Sequence, residues 1–115
     1  MSVSVVDIIV PVFREEELLR EYYETVVKSV VSPWRLFVVY DSEDDPTVAV
    51  CKGIAENDSR VVPLFNPTRG VAGAIKTGFL NADAPAVMVT AADLFEDIQK
   101  IDEMLEVLTR GTYSI

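Results

Sequence analysis

Apolar runs of strand length alternate with segments of helical period from one end of this chain to the other. That alternation limits the folds open to it more than any other feature. VSVVDIIVPV is a continuous β-branched stretch, the pattern of a strand buried on both faces. REEELLREYYETVVKSVV follows, with apolar pairs Leu18/Leu19, Tyr22/Tyr23, Val26/Val27 and Val30/Val31. A repeat of four predicts an amphipathic helix, and acids in its first turn suit the positive end of the helix dipole. SPW breaks it, and RLFVVYD reads as the second strand. In SEDDPTVAVCKGIAEND, Pro46 just inside the start and Asp45 before it predict a helix N-terminus capped by Asp45.

RVVPLFN is a third, short strand, and PTRGVAGAIKTGFLNAD a loop leading into a helix of small residues. PAVMVTA is the fourth strand. LFEDIQKIDEMLEVLTRG carries Ile98, Ile101, Met104, Leu105 and Leu108 on one stripe, and Gly111 is a good C-cap. TYSI then begins a fifth strand, so truncation at the C-terminus is expected. Short connections with crossover helices imply right-handed βαβ units. The expected fold is therefore α/β, a Rossmann-like three-layer α/β/α sandwich with a mainly parallel sheet, in a single domain over residues 1–115.

Composition narrows the chemistry. The chain has 115 residues, 10 basic and 19 acidic, for a net charge of -9. Such a surface repels phosphate backbones, so nucleic acid is not an expected partner. There is no histidine, which removes Ser-His and Cys-His catalysis and most zinc sites. The single cysteine, Cys51, excludes an internal disulfide and reads as a small buried hydrophobe. No apolar run reaches the ~20 residues that span a bilayer, and no signal-peptide pattern opens the chain. A cytoplasmic setting is the expectation, with any membrane association arising through a missing C-terminal part or a partner. The composition leaves a homo-oligomer open.

Ligands of such sheets bind beyond the carboxyl ends of the strands. Four segments lie there. PVFREEE carries no G-x-G-x-x-G, and no phosphate-loop motif occurs anywhere. Its acids read either as a solvated helix start or as part of a base and ribose pocket, with Pro11 and Phe13 supplying apolar surface and Glu15 accepting hydrogen bonds. VVYDSEDDPT places Asp41 nearest the strand end, where a carboxylate can accept the imino proton of uracil or guanine. NPTRGVAGAIKTG offers Gly70 and Gly73 for close backbone approach, a helix N-terminus suited to anions, and the cations Arg69 and Lys76. Helix–sheet packing accounts equally for the glycines, and a solvated face for Lys76. In VMVTAADLFED, Asp93 reads as a helix cap or as one half of a metal site.

Taken in order, these pieces resemble family 2 glycosyltransferases of the GT-A fold, especially the dolichol-phosphate mannosyltransferase-like group. IIVPVFREEELL looks like their opening strand and turn, usually V-P-x-[FY]-N-E-E. VVYDSEDDPT occupies the place of V-D-D-G-S-x-D-x-T. NPTRGVAGAIKTGFLNADAPAVMVTAADL is similar to the N-x-x-x-G-x-[GA]-x-A stretch that ends in [MT]-D-A-D-L, and the resemblance as a whole runs essentially from Val5 to Leu108. The resemblance implies hexosyl transfer from a UDP- or GDP-sugar, assisted by Mg2+ or Mn2+ on a D-x-D motif. Carried over residue by residue, Pro11, Phe13 and Glu15 line the nucleotide pocket and Asp41 faces the base. Arg69, Gly70 and Lys76 border nucleotide and sugar, and Asp93 is the last acid of D-x-D.

The departures are specific. Tyr40 replaces the first acid of the D-D pair, Ser42 its glycine, Arg14 the usual Asn, and Ala91 the first Asp of D-A-D. No residue can be nominated as catalytic base, so the chain is expected to be incomplete or weakly active alone. Two rivals remain: a non-catalytic nucleotide-binding module, and an acidic receiver-like signalling domain. A receiver needs a phospho-accepting Asp after strand three, where this chain has LFN.

Overall fold

A computed structural model describes residues 4–93 and 95–109. The β-branched run forms β1 (Val6–Pro11), and its side chains are buried on both faces, as a central strand requires. The other elements are α1 (Glu16–Ser29), β2 (Trp34–Tyr40), α2 (Pro46–Asn57), β3 (Val61–Phe65), α3 (Gly70–Asn81), β4 (Ala86–Val89), α4 (Phe95–Gln99) and α5 (Ile101–Thr109). The strands form one parallel sheet in the order β3-β2-β1-β4, with Ile9 paired to Phe37 on one side and Val89 on the other. Pro63, which lacks a donor for the ladder, sits in the edge strand β3, where that lack is tolerated.

The order explains the layers. The chain moves from β1 to β2 to β3 in one direction, then returns across the sheet to β4. A constant crossover hand therefore puts α1 and α2 on one face and α3 on the other. Val6, Ile8, Val10, Leu36 and Val38 accordingly pack with Leu19, Tyr22 and Val26 of α1, Cys51 of α2, and Ile98, Ile101 and Leu105 of α4 and α5. Ile9, Phe37 and Val39, the alternate residues, pack with Ala74 of α3. Gly78 makes this second contact close: a Cβ there would stand 2.6 Å from Ile9. Cys51 is buried, and burial pushes its thiol up to about 12, which makes it inert.

Two helices differ from expectation. One residue of each apolar pair in α1 is fully buried, Leu19, Tyr22 and Val26; Leu18 and Tyr23 pack against the core half-buried, Val27 is exposed, and Val31 lies beyond the helix and is exposed. The single last helix is two, divided at Lys100, although Ile98, Ile101 and Leu105 still share one buried stripe. Nothing in the structure explains the break. Gly111 and the TYSI strand lie outside the described residues.

Carboxylates fasten the amino end of the sheet. Asp7 accepts from Arg35, Ser4 and two backbone N–H groups. Asp102 of α5 accepts from the Val31 and Ser32 N–H groups. Asp58, after α2, accepts from Tyr23 Oη at 2.6 Å and from Arg60 Nη2 at 2.7 Å, and Arg60 stacks on Trp34 with 4.0 Å to the ring centre. The Arg60 guanidinium, outweighing burial, holds the Asp58 carboxyl at about 2. A depressed pKa gives stability that is complete above the ordinary carboxylate range and is lost as pH falls through the folded value. Asp58→Asn should therefore cost on the order of 1–2 kcal/mol at pH 6, discounted for the exposed Arg60, and almost nothing near pH 2. Urea unfolding at the two pH values checks this.

Candidate functional site

Four loops leave the carboxyl ends of the strands, and two of them hold one another. In the turn after β1, Arg14 has φ 50°, the left-handed region. Its N–H donates to Asp45 Oδ2 at 2.8 Å, the Glu15 N–H donates to Thr47 Oγ1 at 2.7 Å, and the Phe13 N–H donates to Glu15 Oε1 at 3.0 Å. Asp45 also caps α2, accepting from the Thr47 N–H at 2.9 Å, as its place before Pro46 implied. Burial acts to raise the Asp45 pKa, but the N–H groups of Arg14 and Thr47 outweigh it and hold the carboxyl below its usual range. One carboxylate thus caps its own helix and fixes the neighbouring turn.

The left-handed turn is one that Asn, the residue the family resemblance implies at this position, adopts more readily than Arg14. Arg14→Asn should raise stability by about 0.5 kcal/mol, and Arg14→Val should lower it by about 1–2 kcal/mol. Denaturant midpoints at constant slope report both changes.

The loop after β3 is built on Asn66, which is 1% exposed. Its Oδ1 accepts from the Thr68 N–H at 3.1 Å and the Thr68 hydroxyl at 2.9 Å, and its Nδ2 donates to the Gly70 carbonyl at 3.1 Å. Gly70, with φ 81°, starts α3 and donates its N–H to Asp41 Oδ2 at 3.3 Å.

Between these loops lies a cavity of about 240 Å3, on the α3 side of β1 and β2. Pro11, Phe13, Glu15, Asp41 and Gly70 line it, so five positions read from scattered strand ends meet in one place. Val12, Val39, Asn66, Val71 and Ala74 complete the wall; Val12 and Asn66 lie in the strand-end segments but had been given no role there. The Asn-Pro-Thr sequence directly after β3 was the available signal for Asn66, since Asn side chains organise such turns. The wall is mostly apolar, with two carboxylates and no cation. It suits a flat, neutral group that donates hydrogen bonds, not a phosphate. Pockets enclosing a whole ligand usually measure ~300–1,000 Å3, so this one fits a part of a larger molecule.

Arg69, Lys76 and Asp93 are exposed and do not line the cavity. Arg69 directly precedes Gly70, with φ 56°, and Lys76 stands further along α3. Asp93 lies in the turn after β4, beyond half-buried Ala91 and buried Ala92. The Thr90 hydroxyl is paired with the buried Tyr22 hydroxyl, whose pKa burial pushes up to about 12. Hard divalent cations take six or more oxygen ligands. Among the described residues no group of three or more carboxylate, thiol or imidazole side chains is placed to hold a metal. These residues do not fit a metal held by the protein alone. Nor, among the described residues, is any helix long and apolar enough to cross a membrane.

Comparison with known proteins agrees with this geometry. The model of the family described as "Glycosyl transferase family 2" matches residues 7–115. The chain is 31% identical to a bactoprenol glucosyl transferase of Shigella phage SfV, over 88% of this chain and 34% of that protein. It is 26% identical to an undecaprenyl-phosphate 4-deoxy-4-formamido-L-arabinose transferase of Pectobacterium atrosepticum, over 92% of this chain and 34% of that protein. It spans about a third of the length of these relatives. Among solved structures it is similar to the mannosyltransferase PcManGT from Pyrobaculum calidifontis in complex with GDP-Man and Mn2+, with a TM-score of 0.66 and 25% identity over 77% of this chain and 27% of that one. With the family model covering nearly all of its length and the sheet order, helix faces and strand-end cavity as described, this chain belongs to glycosyl transferase family 2.

Proposed function

We propose that this chain is the nucleotide-sugar-binding part of a family 2 glycosyltransferase that transfers a hexose from a UDP- or GDP-sugar. The observation that carries this is the strand-end cavity, apolar on its walls and lined by acceptors, with the Asp41 carboxylate held by the Gly70 N–H. Uracil and guanine each present an imino N–H, which Asp41 accepts. One Glu15 oxygen is taken by the Phe13 N–H, and the other is left to accept from a ribose hydroxyl. The diphosphate then lies outside the acidic cavity, towards the positive end of α3, with Arg69 and Lys76 as the nearby cations. Asn66 stands where a receiver domain would need its phospho-accepting Asp, and family membership favours the transferase.

The solved neighbour is described with Mn2+. In this chain Asp93 is the residue that would meet a divalent ion, which would arrive with the diphosphate and balance its charge. Ala91→Asp should then make nucleotide binding metal-dependent, with Mn2+ tightening it about 10-fold. An unchanged response to Mn2+ would show that Ala91 does not stand where the first acid of D-x-D stands. The relatives' names, bactoprenol and undecaprenyl phosphate, make a polyprenyl-phosphate acceptor and membrane association the readings to test on the whole protein.

Calorimetric titration with UDP and GDP, each with chelator and with Mn2+, tests the proposal. Binding of one of them, with CDP and ADP much weaker, is expected. Binding of neither under any condition overturns it.

A further inference from the structure

We infer that Asn66 is a positioning residue for the nucleotide pocket, acting through Gly70 on the direction in which the Asp41 carboxylate faces; this rests on the proposed role of Asp41 as acceptor for the base. Asn66 is almost wholly buried, and its hydrogen-bonding atoms are committed to the protein. Its backbone N–H donates to the Tyr40 carbonyl at 2.7 Å, which ties it to β2 one residue before Asp41. Its Oδ1 accepts from Thr68 twice and from the Thr77 hydroxyl at 3.4 Å, while Nδ2 donates to the Gly70 carbonyl at 3.1 Å. One side chain therefore joins the end of β3, its loop and the first turns of α3.

Between these tethers the backbone is strained. Arg69 has φ 56° and ψ 157°, a region that glycine ordinarily occupies, and Gly70 follows with φ 81°. Such a conformation persists only where its surroundings over-determine it, and the Asn66 bonds to Thr68 and Gly70 bracket it on both sides. Its product is the Gly70 N–H aimed at Asp41 Oδ2. Gly73 belongs to the same device: a Cβ there would stand 2.1 Å from Thr68 Oγ1 and 3.0 Å from Asn66 Oδ1, so only glycine lets the network close.

Asn66→Asp keeps the size and Oδ1 but replaces the donor to Gly70 with a second carboxylate oxygen, so that a buried charge faces the Gly70 carbonyl and the tether is lost. It should weaken UDP or GDP binding by about 10-fold, the order expected for losing one well-placed hydrogen bond. Discrimination of UDP over CDP, or GDP over ADP, should also fall from about 100-fold to a few-fold, because it reports where Asp41 faces. Gly73→Ala should reproduce both effects from a residue that does not line the cavity. Far-UV circular dichroism and amide exchange at Gly70 show that the variants are folded and that the loop has loosened. A folded Asn66→Asp or Gly73→Ala protein with wild-type discrimination overturns the inference. If the wild type binds no nucleotide, it is the pocket proposal that has failed instead.

Discussion

Replacing Asp7 by alanine is expected to destabilise the chain by about 3–5 kcal/mol, a large part of the ~5–15 kcal/mol that holds a domain folded. Asp7 is fully buried in β1. Its carboxylate accepts from Arg35 Nε at 3.1 Å and Arg35 Nη2 at 2.9 Å, from the Asp83 and Ala84 N–H groups at 2.9 and 3.0 Å, and from Ser4 Oγ at 2.9 Å. It binds β2, through Arg35, to the turn that delivers β4. Burial alone would raise its pKa, yet Arg35 and the N–H and hydroxyl donors together hold it below the usual carboxylate value. Its contribution is therefore complete above the ordinary carboxylate range and fades as pH falls through the depressed folded value.

Truncation strips Arg35 of its buried partner, leaving only the more exposed Asp83, and leaves two N–H groups without an acceptor. Asp7→Ala combined with Arg35→Met should recover part of the loss, since the uncompensated charge is then gone. Urea unfolding at pH 7 measures all three proteins. A loss below about 1 kcal/mol in Asp7→Ala would contradict the staple.

The second large effect falls on binding. Asp41→Asn should reduce UDP or GDP affinity about 100-fold while changing stability by less than about 1 kcal/mol. Asp41 is half-buried, and its Oδ2 accepts from the Gly70 N–H at 3.3 Å. An amide oxygen can still accept from Gly70, so the loop survives. The amide nitrogen then meets the imino donor of the base, two donors facing each other in an apolar cavity. Affinity loss without destabilisation, read by calorimetry and urea unfolding, is the expected signature. Equal affinity in variant and wild type would remove Asp41 from the site.

Much of the fold was legible because its causes are local. A strand buried on both faces must be apolar throughout, so VDIIV and LFVVY declared themselves, and Asp45-Pro46 marked a helix start through backbone chemistry alone. Which member of each apolar pair in α1 is fully buried was not legible, because helix rotation is set by packing against β1 and α2. The break at Lys100 carries no Gly or Pro to mark it. At the site, position after a strand was enough to gather Pro11, Phe13, Glu15, Asp41 and Gly70 round one cavity. It was not enough for Arg69, Lys76 and Asp93, whose side chains the helix and turns leave exposed outside it. Asn66 opened a strand-end segment but received no role there, because its work is done by hydrogen bonds to a loop whose shape the residue types do not state. At Arg14 the family resemblance implies Asn, but the positive φ that suits Asn was not itself legible.

The most direct test of the central claim is to follow backbone amide resonances of the chain as UDP and GDP are added. The account predicts saturable shifts centred on Phe13, Asp41, Asn66 and Gly70 for at least one nucleotide, with Ser32, Arg35 and Asp83 at the opposite end of the sheet unmoved. Shifts centred at that opposite end, or none with either nucleotide, would contradict it.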